Sequence, residues 1–192
     1  MEAKRGGRQH PAGESCRNLA GRACILARMT ALSSQHALQS ALKDALAAWA
    51  SGVAVVGARD AEGDHGTTVS SFTSVSLEPP LVLVSLASSA RIMAPIDASG
   101  RFSISVLAAD QQAASAYLAT RGRPPGFGPV PVARLDDDLP GVEGALAHRT
   151  CGVEARIPQG DHTLLVGRVT SASAEPTPRA ALVYHQRGYR TL

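Results

Sequence analysis

A stretch dense in serine and threonine, from Gly66 to Ser76, lies directly between two apolar segments. Small hydroxyl side chains beside a glycine let a ligand approach the backbone closely, and their donors and acceptors suit a polar heterocycle or a polyol chain. Such hydroxyl groups can also be satisfied by the backbone of their own loop. The stretch therefore indicates either a binding surface for a polar ligand or a self-contained loop.

A second candidate site runs from Ser85 to Arg91, where an apolar strand passes into a short predicted helix. It combines hydroxyl groups and an arginine with the free N–H groups of a helix N-terminus, which favour an anion. The segment predicts a phosphate-binding site, and simple capping of the helix is the alternative.

A third candidate is the segment from Gly160 to Thr163, at the entrance to a predicted strand. His162 can donate a hydrogen bond to a ligand if a neighbouring residue fixes its tautomer. A solvated histidine at the start of a strand is the alternative. We interpret His65, His148 and His185 as surface or edge residues, because the sequence suggests no partner for them.

The sequence lacks the motifs of several common chemistries. No G-x-G-x-x-G follows a strand, and the Walker A, H-E-x-x-H and G-x-S-x-G patterns are absent. The cysteines Cys16, Cys24 and Cys151 form neither a disulfide framework nor a zinc site, and the histidines have no metal-ligand spacing. We therefore predict no metal site, and the cysteine usage favours a reducing, cytoplasmic location.

Apolar periodicity predicts the elements that must position these segments. Apolar residues from Leu38 to Trp49 recur at steps of three and four, which predicts a helix with one buried apolar stripe that ends at Ser51 and Gly52. The continuous apolar run 81–86 predicts a central strand buried on both faces. Further helices are predicted over 89–98 and 110–119, a long surface loop over 120–141, and other strands over 53–58, 64–70, 102–107, 145–157, 162–173, 182–184 and 189–192. Because the strands outnumber the helices and do not alternate with them, we predict a closed or half-closed antiparallel barrel with peripheral helices.

The chain has 192 residues, the length of one domain with a tail. Residues 1–28 hold six basic and two acidic side chains, a net +4, which leaves −1 for the rest of a chain whose total is +3. We therefore predict a disordered basic extension over residues 1–32 and one domain over residues 33–192. The near-neutral domain, in a chain with 4% aromatic residues, disfavours a nucleic-acid partner, and no apolar run is long enough to span a membrane.

Four segments, taken in order, resemble the flavin reductase-like family: Ser51 to Val56, Thr68 to Leu83, Gly100 to Leu107, and Gly160 to Thr163. The resemblance extends over residues 34–192. It implies a mainly β fold, an antiparallel Greek-key split β-barrel that binds FMN, with peripheral α-helices and usually as a homodimer. It also implies an NAD(P)H:flavin oxidoreductase of the kind that accompanies two-component monooxygenases.

By position, the resemblance also implies site residues. It places the flavin ring and ribityl chain against four hydroxyl side chains, those of Thr67, Thr68, Ser70 and Ser71. It places the flavin phosphate along the next segment, at Ser85, Leu86, Ala87, Ser88, Ser89 and Arg91. It places NAD(P)H beside Asp161, His162, Thr163, Tyr189 and Arg190. His162 would position the nicotinamide and need not act as an acid.

The function that the resemblance implies is hydride transfer from NADH or NADPH to FMN or FAD, after which the reduced flavin leaves for a partner monooxygenase. Such a reaction needs no triad or metal, because the cofactors carry the chemistry and the protein holds them at reacting distance. Two other functions remain open. One is a non-catalytic flavin-binding or carrier protein, and the other is an FMN-dependent oxidase on the same fold.

Overall fold

The computed structural model of the protein describes residues 34–191. The predicted disordered extension over residues 1–32, together with Cys16, Cys24 and Leu192, lies outside the described residues. Two compact units are present: the first contributes residues 34–47 to the described chain, and the second begins at Ala48. A single domain that begins at residue 33 therefore stays a prediction.

Helix α1 covers residues 34–47 and is the described part of the first unit. Leu38, Leu42 and Leu46 follow one another at steps of four, so they lie on one face of the helix. All three side chains are exposed. The helix is present, but it ends before Trp49, and the apolar stripe that was predicted to be buried is exposed.

Short strands make up most of the second unit. They are β1 (Ser51–Gly52), β2 (Ala54–Asp60), β3 (Gly63–Val69), β4 (Thr73–Leu77), β5 (Pro80–Ala87), β6 (Arg101–Val106), β7 (Val132–Arg134), β8 (Pro140–Val142), β9 (Ala147–Gln159), β10 (His162–Ala174), β11 (Leu182–His185) and β12 (Gly188–Thr191). The helices are α2 (Met93–Ser99) and α3 (Gln112–Ala119), with short 3-10 turns at Ala109–Gln111 and Asp136–Asp138.

Seven strands form one antiparallel sheet in the order β3-β2-β6-β9-β10-β5-β4. A second sheet holds β1, β11 and β12, and β7 pairs with β8. The large sheet curls until the end of β3 meets β5. There Ser71 Oγ donates to Ser85 O at 2.8 Å and accepts from the Ser85 N–H at 3.1 Å. The mainly β, antiparallel split barrel is confirmed.

Two hydrophobic cores lie on opposite faces of β2, because successive side chains of a strand point to opposite faces. Val56 faces the barrel interior and is buried with Phe102, Ile104 and Leu165. Val55 faces the other way and is buried with Leu107, Leu118 and Leu182. Leu118 belongs to α3, so the second core holds this helix against the barrel wall.

Strand β5 differs from its prediction as a central strand buried on both faces. It lies between β10 and the edge strand β4, and only one of its faces is buried. Val82, Val84 and Leu86 face the barrel interior, whereas Leu81 and Leu83 are part-exposed on the outer face. The apolar run therefore arises because the part-exposed outer face of β5 carries apolar residues as well as the buried inner face.

Two other boundaries differ from the prediction. Strand β4 lies within the Ser/Thr-rich stretch, which showed no apolar run to mark a strand. Helix α2 begins at Met93, later than the predicted start at Ser89, and its N-cap residue Ile92 makes no side-chain capping bond. Gly100 ends α2 as expected, with a φ of 67° that suits a glycine.

The segment 120–141, predicted as a surface loop, is partly buried and partly regular. It contains β7 and β8, which pair as an antiparallel ladder. Phe127, Val130 and Leu139 are buried, and the first two belong to the second core. The Pro and Gly content concealed these apolar anchors, which hold the segment against the barrel.

Candidate functional site

A cleft of about 980 Å³ opens beside β3. Four parts of the second unit line it: β3 with its flanking turns, the segment from the end of β5 into α2, the end of α3 with the segment after it, and His162 of β10. Its lining includes Asp60, Glu62, His65, Thr67, Thr68, Ser70, Ser71, Ser85, Leu86, Ala87, Ser89, Arg91, Arg121, Arg123, Gly126 and His162. The cleft thus gathers two of the three candidate segments and the histidine of the third.

The backbone of β3 contributes to the cleft because β3 is an edge strand of the large sheet in the described chain. Arg123 donates to Gly66 O, which identifies Gly66 as an outward-facing position of β3. Outward-facing positions alternate along an antiparallel strand, so the backbone groups of Thr68 also face outward. The edge therefore offers backbone donors and acceptors beside the hydroxyl groups.

The Ser/Thr-rich stretch divides into two groups of side chains. Thr68 Oγ1 donates to Ser115 O of α3 at 2.8 Å, and Ser71 Oγ joins β5 as described above. The hydroxyl groups of Thr67 and Ser70 line the cleft and make no hydrogen bond within residues 34–191. The two interpretations of the stretch thus apply to different residues: Thr68 and Ser71 serve the fold with their side chains, and Thr67 and Ser70 are available to a ligand.

The segment from Ser85 to Arg91 lines the cleft except at Ser88. Ser88 Oγ lies 2.9 Å from Thr163 Oγ1, and its N–H donates to Asp161 O at 2.9 Å. Ser88 thereby ties the turn after β5 to the turn before β10. Ser89 and Arg91 face the cleft on either side of Ala90, in a turn that precedes α2.

His162 begins β10 and lies opposite Ala87 of β5, which brings it to the cleft. Its Nδ1 lies 2.7 Å from Asp161 Oδ1, and this hydrogen bond holds the pKa of the Asp161 carboxyl below its ordinary value. Asp161 is thus the neighbour that orients the imidazole. Neither Asp161 nor Thr163 lines the cleft, and Thr163 is buried.

Tyr189 and Arg190, also predicted beside NAD(P)H, lie on β12 and do not line this cleft in the described chain. The Tyr189 hydroxyl lies 2.9 Å from Ser115 Oγ, and its ring packs edge-on against Tyr184 with centroids 5.4 Å apart. Arg190 Nη1 donates to Tyr189 O at 2.8 Å. Their role toward NAD(P)H stays a prediction.

Sequence reasoning missed the residues at the β2–β3 turn. His65, interpreted as a surface residue, lines the cleft, and its Nε2 lies 2.9 Å from Asp60 Oδ1. This hydrogen bond lowers the pKa of Asp60. The predicted hairpin was the available signal, because it places residues five apart across a tight turn on neighbouring strands. His148 also has a partner, since its Nδ1 lies 3.1 Å from Ser105 Oγ.

The segment after α3 supplies the other missed residues. Arg121 and Arg123 join Arg91 in the cleft, so one part of its wall is strongly cationic. Guanidinium groups bind phosphate oxygens well. Among residues 34–191, no three His, Cys, Asp or Glu side chains come together as a metal site requires.

The sequence of this chain is similar to those of known proteins over most of its length. Residues 46–192 match a family model described as a flavin reductase like domain. The reductase component of 4-hydroxyphenylacetate 3-monooxygenase from Thermus thermophilus is 40% identical over 156 residues, which cover 81% of this chain and 97% of that protein. An NADH-dependent flavin reductase from Rhodococcus is 44% identical over 131 residues, covering 67% and 73% of the two chains.

A solved structure agrees with these similarities. The flavin reductase component of a bacterial two-component tryptophan halogenase is 37% identical, with a TM-score of 0.75 over 80% of this chain and 98% of that one. Sequence and fold therefore point to the same group of proteins.

Proposed function

The chain belongs to the flavin reductase-like family, and on that premise we propose that it is an NADH-dependent flavin reductase. It transfers hydride from NADH to a flavin, FMN or FAD, and supplies the reduced flavin to a partner monooxygenase. The cleft beside β3 supports this function, because it presents hydroxyl groups, a strand edge, arginines and two histidines, His65 and His162, on a single surface.

The residues of the cleft fit a flavin. The polar edge of the ring system needs donors and acceptors, which the outward-facing backbone of Thr68 provides. The ribityl hydroxyls suit the unbonded hydroxyl groups of Thr67 and Ser70. Arg91 uses one N–H on Arg123 O, at 2.7 Å, and the rest of its guanidinium is available to a phosphate beside Ser89. When bound, the flavin supplies the redox chemistry as the hydride acceptor.

His162 positions the nicotinamide in this proposal. Because the Asp161 carboxylate accepts the hydrogen bond from Nδ1, the neutral imidazole presents Nε2 as an acceptor and the charged imidazolium presents it as a donor. The carboxamide group of nicotinamide offers both a donor and an acceptor. His162 therefore holds the nicotinamide ring over the cleft, and no side chain of the protein has to transfer a proton to complete the hydride transfer.

We further propose that the protein is a homodimer. The outer face of β5 and β10 carries part-exposed apolar side chains, including Leu83 and Val166 at neighbouring positions of the ladder. Ile157 of β9, opposite Leu164 of β10, and Val75 of β4 are exposed on the neighbouring strands. The water-facing side of an antiparallel sheet normally carries polar residues, so an apolar outer face indicates an interface. A second copy of the chain is the partner, because one self-complementary face closes a two-fold dimer.

The described residues 34–191 include no helix long and apolar enough to cross a bilayer. We propose a cytoplasmic location. The buried free thiol of Cys151 supports it, because a reducing compartment preserves free thiols.

The decisive experiment measures loss of the near-ultraviolet absorbance of NADH when purified protein is mixed with FMN or FAD in air. We expect flavin-dependent oxidation, and parallel reactions with NADPH rank the two nucleotides. Flavin binding without oxidation of either nucleotide would contradict the reductase and support the carrier. A protein that consumed oxygen with another small substrate, and needed no NADH, would support the oxidase.

A further inference from the structure

Arg123 joins three parts of the cleft wall. Its Nη1 donates to Gly126 O at 2.6 Å and to Pro124 O at 3.0 Å, and its Nη2 donates to Gly66 O on β3. Its own carbonyl accepts from Arg91 Nη2 at 2.7 Å. The Arg123 side chain therefore bonds within its own segment and attaches that segment to the edge strand, and the backbone carbonyl of Arg123 connects the segment to Arg91 in the turn before α2.

The guanidinium of Arg123 is held from its other side as well. It lies over the ring of Tyr117, with 5.3 Å between Cζ and the ring centroid. Burial lowers the pKa of Arg123, and an arginine nevertheless stays charged near neutral pH. A charged planar group that donates to carbonyls and stacks on an aromatic ring is fixed in one orientation.

The same segment is anchored on Gly66 by a second contact. The Phe127 ring packs directly over Gly66, so a Cβ built on this glycine would lie 2.9 Å from Phe127 Cζ. Phe127 is buried, whereas Arg121 and Gly122 before Arg123, and Pro124 after it, are exposed. We call residues 120–127 the strap. Its position depends on Arg123 at the cleft and on Phe127 behind it.

We propose that Arg123 is a positioning residue for flavin binding, because it holds the strap against β3 and fixes one wall of the cleft before the flavin arrives. The proposal rests on the proposed function. Arg123 donates three hydrogen bonds to carbonyl groups of the protein, so we assign it to holding the strap and leave the binding of a phosphate to Arg91 and Ser89.

The expected effect is on affinity and not on hydride transfer. Gly122 and Gly126 adopt φ values of 76° and 92°, and such glycines give an unanchored strap many conformations. Without Arg123, each binding event would have to order the strap, and this entropy loss weakens binding. Once flavin and NADH are bound, the reacting atoms meet as before.

The test compares Arg123→Gln and Arg123→Lys with the wild-type protein. We expect Arg123→Gln to raise the KM and the Kd for flavin about tenfold, as the loss of hydrogen bonds from a charged donor predicts, with kcat within about twofold of wild type. Arg123→Lys keeps the charge but loses the planar fork, and its flavin Kd should fall between the two.

Arg134→Gln is the matched control. Arg134 of β7 also attaches segment 120–141 to β3, through hydrogen bonds of 2.8 Å and 2.5 Å to Asp64, but neither residue lines the cleft. Its loss should leave the flavin Kd unchanged. An Arg134→Gln variant that lost as much flavin affinity as Arg123→Gln would overturn the specific role of Arg123.

A structural readout that needs no activity completes the test. Chymotrypsin cleaves after phenylalanine, and the buried Phe127 should be cut slowly in the wild type and several times faster in Arg123→Gln, as mass spectrometry of the fragments would show. Wild-type flavin affinity in Arg123→Gln, or an unchanged rate of cleavage at Phe127, would overturn the proposal. A wild-type protein that bound flavin but oxidised no NADH would contradict the proposed function alone, and the flavin affinities would still decide the role of Arg123.

Discussion

His162, oriented by Asp161, is assigned to nicotinamide binding and not to flavin binding, so a substitution of His162 can distinguish the two. Replacing His162 by alanine removes the group that faces the cleft and leaves the hydroxyl groups of β3 in place. We expect the KM for NADH to rise about tenfold, or about 1.4 kcal/mol, and the Kd for flavin to change much less. Steady-state kinetics and flavin titration measure the two effects. His185→Ala, at a histidine that does not line the cleft, is the control, and an unchanged KM for NADH would remove His162 from this role.

Most of the hydroxyl groups of the cleft were predictable from residue types, because they lie on a predicted strand and at the end of another. Arg121, Arg123 and His65 were not predictable in the same way. Arg123 contacts Gly66 across 57 positions of sequence, and no local pattern indicates such a long-range hydrogen bond.

The thiol of Cys151 provides a test of how well the barrel core is closed to reagents. Burial raises the pKa of its thiol to about 12, so the reactive thiolate is scarce at neutral or mildly alkaline pH. We expect Cys151 to resist iodoacetamide in the native protein and to react readily in urea, as peptide mass spectrometry would show. Rapid native labelling of Cys151 would contradict a closed barrel interior.

His148 makes the stability of the fold depend on pH. Burial lowers the pKa of His148 below its ordinary value of 6.5, so the unfolded chain takes up a proton before the folded chain does. The free energy of unfolding should therefore fall as pH drops below about 6.5 and stop falling, for this group, below the folded pKa. Urea titrations of wild type and His148→Gln across this range measure the effect. A variant with the same pH slope as the wild type would exclude His148 as its source.

At the level of strands, the glycine pair Gly57 and Gly66 determines how closely other segments approach the β2–β3 hairpin. A Cβ on Gly57 would lie 2.2 Å from Pro140 O and 2.5 Å from Ser103 Oγ. Gly57→Ala should thus lower the free energy of unfolding by about 1–3 kcal/mol, because β8 must move away. Gly152→Ala, with no atom within 4 Å of the added carbon, is the control in the same urea assay. Equal stability of the two variants would contradict the close contact between β8 and Gly57.

The hairpin β2–β3, the strands β6, β9 and β10, and helix α3 follow from periodicity and turn residues alone. Strand β4 and the β7–β8 ladder do not, for two different reasons. β4 is an edge strand of mostly polar residues, so it has no apolar pattern of its own, and it forms by pairing with β5. β7 and β8 are three residues each in a segment rich in Pro and Gly, too short for any period to show.

For the whole molecule, the proposed dimer assigns the apolar outer face of β5 and β10 to the interface. Light scattering should give twice the chain mass of 19.8 kDa for the wild type. Val166→Asp places a charge on the proposed interface, so this variant should be a folded monomer by scattering and circular dichroism. Ser173→Asp, at an exposed position of the same strand, should stay dimeric. A wild-type mass of one chain would contradict the dimer.

The edge strand β4 affects the risk of aggregation of newly synthesised chains. It presents an unpaired backbone edge, and Leu77 at its end is 89% exposed. A newly folded single copy can therefore pair through this edge with any other extended chain. Glu78 is the nearest charged residue that opposes such pairing. In the proposed dimer, assembly with a second copy competes with aggregation of unassembled chains. Slow synthesis at low temperature should therefore increase the soluble yield, because fewer unassembled chains then meet one another.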